Sequence, residues 1–154
     1  MDFVVEEELY RKYADELIRY ATVLIGPDRA GDAVADALVG ALQGGRLRDA
    51  RHPKAYLYRS VHNAATAIAT RATKRERREI EDGITARPHY WPADVDLDVI
   101  QAVARLSPRQ RAVIYLTYWD DQTPQAIADI LEISEGSVKQ HLTRARRAVR
   151  RALR

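Results

Sequence analysis

The stretch from Thr123 to Arg147 reads TPQAIADILEISEGSVKQHLTRARR and decides the fold of the second half of the chain. Thr123 before Pro124, and Ser134 before Glu135, are typical helix starts, because the hydroxyl accepts a hydrogen bond from a free backbone N–H. The apolar side chains of the stretch are Ile127, Ile130, Leu131, Ile133, Val138 and Leu142. Two short helices joined by a tight turn around such a set predict a helix-turn-helix.

The second helix of this motif has one apolar side and one polar, basic side. The apolar side consists of Val138, Leu142, Ala145 and Val149, at spacings of four, three and four. At about 100° per residue, the opposite side and its flanks carry Ser137, Lys139, Gln140, Thr143, Arg144, Arg146, Arg147 and Arg150. Glutamine pairs with adenine and arginine with guanine, so Gln140 and Arg144 are predicted to contact bases. The lysine and the other arginines are predicted to bind phosphate, the alternative being a solvated basic helix.

Composition excludes several classes of protein. The 154 residues include no cysteine, so disulfides and thiolate metal sites are excluded. The four histidines lack metal-ligand spacing, and no metal or cofactor is expected. No apolar run is long enough for a membrane span, and the acidic start argues against a signal peptide, so we expect a cytoplasmic protein without membrane insertion.

Charge is distributed unevenly along the chain. The first quarter is acidic, whereas the segment from Arg46 to Arg78 is strongly basic, and no acidic residue follows Lys139. Two basic blocks separated by a neutral stretch suggest two contacts with one polyanion, because phosphate neutralisation dominates nucleic-acid affinity.

Helical periodicity dominates the first half. A helix is predicted over about residues 6–25, ending at Gly26-Pro27, and a second from Asp28 to about Leu42. His52-Pro53 opens a third helix, which is predicted to run towards Arg78.

Residues 79–95 interrupt the periodicity. Gly83, Pro88 and Pro92 lie in this segment, which shows no apolar stripe and is predicted to be a linker. Within it, the aromatic trio from His89 to Trp91 is a candidate for docking. The predicted fold is therefore all-α, with two small helical domains, residues 1–78 and 96–154, joined by a flexible linker.

Both halves of the sequence resemble a known protein family. LSPRQRAVIYLTYWDDQTPQAIADILEISEGSVKQHLTRARRAVRRAL resembles region 4 of bacterial sigma factors, which contacts the upstream promoter element. GPDRAGDAVADALVGAL and HPKAYLYRSVHNAATAIATRATKRERR resemble region 2 of the same family. With these two regions alone, the chain is most similar to the small extracytoplasmic-function (ECF) sigma factors of the sigma-70 family.

The resemblance implies functional residues in the first half. Asp32 and Asp36 match acidic positions that bind a coiled coil on the largest subunit of RNA polymerase. The third helix and the basic loop before it would hold the melted downstream element, where exposed bases require stacking surfaces and cations. The candidates for that surface are Arg46, Arg48, Tyr58, Arg59, His62, Asn63, Lys74 and Arg75. Tyr58 lies off the apolar stripe and is preferred to Tyr56 as a stacking surface.

The resemblance also implies partners: promoter DNA, the polymerase core through its coiled coil and flap, and an anti-sigma factor. The alternative is a LuxR-like helix-turn-helix regulator that does not act as a sigma subunit. Ala35, Ala67 and Thr70 differ from the residues usual in sigma factors and favour this alternative or an altered affinity for core. No nucleophile elbow, phosphate loop or zinc pattern is present, so an enzyme is not expected.

Overall fold

A computed structural model describes residues 3–44, 47, 50–86, 91 and 94–153, with side chains from residue 7 onward. Within these residues the chain forms eight helices and no strand. The helices are α1 Phe3–Ile25, α2 Pro27–Gly44, α3 Pro53–Arg71, α4 Lys74–Thr85, α5 Leu97–Ala104, α6 Pro108–Tyr118, α7 Pro124–Leu131 and α8 Glu135–Ala152. The prediction of an all-α fold is confirmed.

Hydroxyl side chains begin the last three helices as the sequence predicts. The Ser107 hydroxyl accepts from the backbone N–H of Gln110 at 3.2 Å, at the start of α6. Thr123 makes the equivalent bond at the start of α7, and Ser134 at the start of α8. Each bond satisfies an N–H that has no partner inside its helix.

The prediction for the third helix and the segment after it is wrong in one respect. The third helix ends at Arg71, and a new helix, α4, occupies residues 74–85, where the sequence predicts the start of a linker. Thr73 and Glu76 form a reciprocal capping box that begins α4. Ile80 and Ile84 are buried. These two isoleucines attach the helix to the hydrophobic core, although most of its residues are charged.

Two glycines allow α4 to pack closely on the first two helices. Gly26, between α1 and α2, has a φ of +83°, a backbone conformation that residues other than glycine rarely adopt. A Cβ atom at Gly26 would lie 3.2 Å from the carbonyl oxygen of Ile80. A Cβ atom at Gly83 would lie 3.4 Å from the ring of Pro27. Gly83 therefore lies within a packed helix and does not interrupt it.

The N-terminal half (α1–α4) and the C-terminal half (α5–α8) share one hydrophobic core. Helix α1 packs against α6, and α3 against α7. The rings of Tyr20 and Tyr115 meet between the halves, with centroids 5.6 Å apart. Trp91, from the predicted linker, is buried against Trp119 in an edge-to-face arrangement at 5.0 Å. Its neighbours His89 and Tyr90 lie outside the described residues.

None of the helices described here is both long and apolar enough to cross a membrane.

Candidate nucleic-acid interface

Helices α7 and α8 form the predicted helix-turn-helix. The turn between them has Glu132 in a left-handed conformation, with φ of 56° and ψ of 45°, a position at which many such motifs use glycine. Val138 and Ala145 are fully buried, which fixes the rotation of α8 about its axis. The predicted DNA-contacting side therefore faces outward.

The outward side of α8 gathers most of the predicted residues. A shallow depression of about 310 Å³ is lined by Lys139, Gln140, Thr143, Arg144 and Arg147, all exposed. The Thr143 hydroxyl donates to the carbonyl of Lys139 at 2.9 Å, and Lys139 pairs with Glu135 at 3.5 Å. The guanidinium groups of Arg144 and Arg147 share this surface with the amide of Gln140. The surface therefore combines groups that can hydrogen-bond to base edges with cations that can bind phosphate.

Two predicted members of the set lie elsewhere on α8. Ser137 is at the N-terminus, where its hydroxyl accepts from Ser134. Arg146 lies about 120° around the helix from Gln140 and packs over the ring of Tyr118, 5.5 Å from its centroid. The structure therefore separates Arg146 from the surface around Gln140.

On α3, the expectation that Tyr58 lies off the apolar surface is wrong. Tyr58 is fully buried, and its ring packs against that of Tyr20 at 4.9 Å. Its hydroxyl donates to Glu16 at 3.3 Å and to Asp120 at 3.5 Å. Burial raises the pKa of the Tyr58 phenol, and the nearby Asp120 carboxylate raises it further. The sequence could not predict this burial, because these partners lie 42 and 62 residues away in sequence.

His62 is likewise buried rather than presented to a ligand. It is 3% exposed, and its Nδ1 lies 3.2 Å from the Tyr20 hydroxyl. Burial lowers the pKa of His62 to about 4, and the positive charge of Arg109 contributes to this shift.

This pKa shift predicts a loss of stability in acid. Because the pKa of His62 is lower in the folded chain than in the unfolded chain, its neutral imidazole contributes fully to the free energy of unfolding above about pH 6.5. This contribution declines as the pH falls towards 4. Between pH 7.5 and 5, the wild-type chain should lose about 2 kcal/mol more unfolding free energy than a His62→Gln variant. Urea denaturation at several pH values measures this difference, and identical pH profiles would contradict it.

The other predicted residues of the downstream surface differ in exposure. Asn63, Lys74 and Arg75 are exposed, and Arg75 pairs with Glu79 at 3.5 Å. Arg59 is half-buried, and its guanidinium donates to the carbonyl of Asp129. Arg46 and Arg48 lie outside the described residues.

On α2, both predicted acidic residues face solvent. Asp32 and Asp36 lie one turn apart on the exposed side of the helix, and Val39, 51% exposed, continues that surface. An acidic surface that ends in an exposed aliphatic side chain is suited to binding a basic, partly apolar protein partner.

Sequence reasoning missed the polar residues that join the two halves. Arg111 is 4% exposed, and its guanidinium donates to the carbonyls of Leu24, Ala104 and Leu106. In the N-terminal half, Lys54 Nζ lies 3.4 Å from Oδ1 of Asp120 in the C-terminal half. An arginine that directly precedes the apolar run AVIYL is a sequence signal that could have identified Arg111, whereas nothing in the sequence marked Lys54 or Asp120.

In the part of the chain that the structure describes, no cluster of three or more His, Asp or Glu side chains could hold a metal ion.

Comparison with known families matches both halves. Residues 9–78 match the family model for sigma-70 region 2, and residues 96–149 match that for sigma-70 region 4. The region 2 match excludes the LuxR-like alternative, because a regulator of that type would resemble sigma factors only in its helix-turn-helix.

Individual relatives agree with the family match. The ECF RNA polymerase sigma factor SigM of Mycobacterium tuberculosis is 28% identical, with 96% of this chain and 76% of that protein covered. The RNA polymerase sigma-E factor of Streptomyces antibioticus is 32% identical, with 96% and 83% covered. The fold is similar to that of the sigma factor RpoE of Bartonella quintana, solved in complex with the anti-sigma factor NepR. That likeness has a TM-score of 0.72 at 23% identity and covers 96% of this chain and 95% of RpoE.

The chain therefore belongs to the sigma-70 family and is an ECF sigma factor, a subunit that directs core RNA polymerase to specific promoters and initiates transcription there.

Proposed function

We propose that residues 96–154 contact the upstream promoter element through the outward side of α8. The observation that carries this assignment is the cluster of Gln140, Arg144 and Arg147 on the exposed side of the second helix of a helix-turn-helix. Gln140 and Arg144 contact base edges in the major groove. Lys139 and Arg147 bind the flanking phosphates, and Ser137 and Thr143 add hydroxyl contacts.

Residues 1–78 hold the melted downstream element, and residues 79–95 connect the two regions. Support comes from the exposed cations Lys74 and Arg75 and the exposed amide of Asn63. Arg46 and Arg48 add to this positive charge. Tyr58, Arg59 and His62 complete the surface when the C-terminal half is displaced from α3.

The acidic surface of α2 binds the coiled coil of the largest polymerase subunit, and the C-terminal half binds the flap. The chain supplies recognition rather than catalysis, and it acts in the cytoplasm, where the polymerase is. RpoE of Bartonella quintana was solved with an anti-sigma factor, which supports a regulator of that kind for this chain as well.

Charge reversal on α2 tests the core-binding surface. Asp36→Arg is expected to weaken binding to core polymerase about tenfold, because it replaces attraction by repulsion at an exposed contact. Asp82→Arg is the matched control, since Asp82 is an exposed aspartate on α4. Titration of labelled chain with core measures both affinities. Equal affinities would exclude α2 as the contact.

Reconstituted transcription tests the function as a whole. The chain and core polymerase of the host bacterium are incubated with its fragmented genome, and the 5′ ends of the transcripts are sequenced. Initiation is expected at a small set of sites that share an upstream and a downstream element. Initiation that is identical with and without the chain would contradict the proposal.

A further inference from the structure

A cavity of about 580 Å³ lies between α3, α4 and the segment that leads from α5 into α6. Its volume is typical of cavities that bind small molecules. The charged residues of its wall, four arginines and one glutamate, are Arg77, Arg105, Arg109, Arg111 and Glu81. We call it the arginine cavity. Four positive charges against one negative charge leave its wall with a net charge of +3, so the cavity favours an anion.

Arg111 is the buried member of this set, with 4% of its surface exposed. Its terminal nitrogens donate to the carbonyls of Leu24, Ala104 and Leu106, but its Nε has no acceptor among the described residues. Nor does any carboxylate in the described part of the chain form an ion pair with it. Burying a cation without a counter-ion costs free energy, and an anion in the cavity would offset that cost.

The other three arginines of the wall are exposed, and they too lack a carboxylate partner. Within the described residues, Arg77, Arg105 and Arg109 form no ion pair. Burial is the main cause of the lowered pKa of His62 and of His141, and the charge of Arg109 lowers both further. The guanidinium groups are therefore available to a phosphate, which they bind through paired hydrogen bonds.

Helix α6 begins at the arginine cavity. Ser107, Pro108 and Arg109, the cap and the first turn of this helix, all line it. The N-terminus of a helix carries partial positive charge and attracts anions, phosphate in particular. This contribution adds to that of the arginines, because both act on the same enclosed volume.

We propose that the arginine cavity binds a small molecule that carries a diphosphate group. A diphosphate has several negative charges on one compact group, which matches a wall of net charge +3 better than a singly charged anion does. A nucleic-acid strand fits less well, because it presents its phosphates singly along a backbone, whereas these arginines surround one cavity. The ligand contacts α4 in the N-terminal half and α6 in the C-terminal half.

Calorimetric titration of the full chain with inorganic pyrophosphate, in magnesium-free buffer of fixed ionic strength, tests the site. The wild type is expected to bind at a single site. The Arg77→Ala, Arg109→Ala variant should bind about tenfold more weakly or worse, because it removes two exposed charge pairs. The matched control is Arg78→Ala, Arg151→Ala, which removes one exposed arginine from each half outside the cavity. No binding by the wild type, or equal affinities of the two variants, would overturn the proposal.

The Nε–H group of Arg111 reports on the inside of the cavity. In a ¹H–¹⁵N spectrum, its signal should shift when the wild-type chain is saturated with pyrophosphate, whereas that of Arg78 should not. Binding without a shift at Arg111 would place pyrophosphate elsewhere on the chain and overturn the assignment to the cavity.

A mixed-sequence single-stranded oligonucleotide distinguishes a small molecule from nucleic-acid phosphate. At saturation it should leave the affinity for pyrophosphate unchanged. Displacement of pyrophosphate by the oligonucleotide would assign the arginine cavity to the nucleic-acid backbone and overturn the proposal. If circular dichroism shows that the double alanine variant is unfolded, Arg109→Gln carries the test, with Arg151→Gln as its control.

Discussion

Replacing Gln140 and Arg144 together by alanine is expected to lower affinity for duplex upstream-element DNA by about a hundredfold or more. Each bidentate contact to a base discriminates by about 1–3 kcal/mol, and two such contacts multiply in their effect on the dissociation constant. Most of the loss should be confined to cognate DNA. Affinity for unrelated duplex should fall much less, because Lys139 and Arg147 remain to bind phosphate.

The chain offers a matched control for this pair. Gln101 and Arg105 have the same residue types at the same spacing of four, and both are exposed near the C-terminal end of α5. The Gln101→Ala, Arg105→Ala variant makes the same charge change away from α8 and should bind cognate DNA almost as the wild type does. Fluorescence anisotropy at fixed salt measures both variants. Undiminished, equally selective binding by the Gln140, Arg144 double variant would contradict the assignment.

The second large effect concerns stability. Arg111→Met is expected to lower the free energy of unfolding by about 3 kcal/mol. Hydrogen bonds from a charged donor to the carbonyls of Leu24, Ala104 and Leu106 are worth roughly 1.5–3 kcal/mol each. Against them stands the cost of burying the guanidinium, which lowers the pKa of Arg111 to about 10 and corresponds to about 3 kcal/mol. The hydrogen bonds outweigh this cost, so removing the group should destabilise the chain.

Chemical denaturation and thermal melting measure this loss. For a chain of this size, about 3 kcal/mol corresponds to a fall in melting temperature of roughly 6–12 °C. Arg105→Met is the control, because Arg105 is exposed and in the same half. Arg111→Lys should restore little, since an ammonium group on a flexible stem cannot reproduce the planar fork that binds three carbonyls. Equal stability of Arg111→Met and the wild type would show that burial and hydrogen bonding cancel.

Local signals explain why much of the fold was predictable. Ser107, Thr123 and Ser134 begin their helices through hydrogen bonds made within three residues. The rotation of α8 follows from the spacing of Val138 and Ala145. The polar side opposite is exposed as the sequence predicts, with Ser137 and Arg146 on its flanks. Helix α4 was not predicted because two isoleucines, Ile80 and Ile84, are too few to form a recognisable apolar stripe. In addition, Gly83 was interpreted as a residue that interrupts a helix.

The arrangement of the two halves was not predictable from these signals. The side chains of Tyr58 and His62 have an apolar ring and a polar group, so they occur both on surfaces and in interiors. Only the residues that contact them in the fold determine which applies. Those partners include Tyr20 and Asp120, 38 to 62 residues away in the chain. Resemblance to a family identified residues suited to contact single-stranded DNA. It did not indicate that the chain covers them with its own C-terminal half.

The contact between Trp91 and Trp119 has a spectroscopic consequence. These are the only two tryptophans in the chain, and their rings meet edge to face at 5.0 Å with an interplanar angle of 82°. All indole emission therefore originates from one pair, which joins the connecting segment to the C-terminal half. Separation of the rings would expose Trp91 to water and shift its fluorescence to longer wavelength. The protein thus contains an optical probe of its own connecting segment, and no label is needed to follow that segment in the free chain.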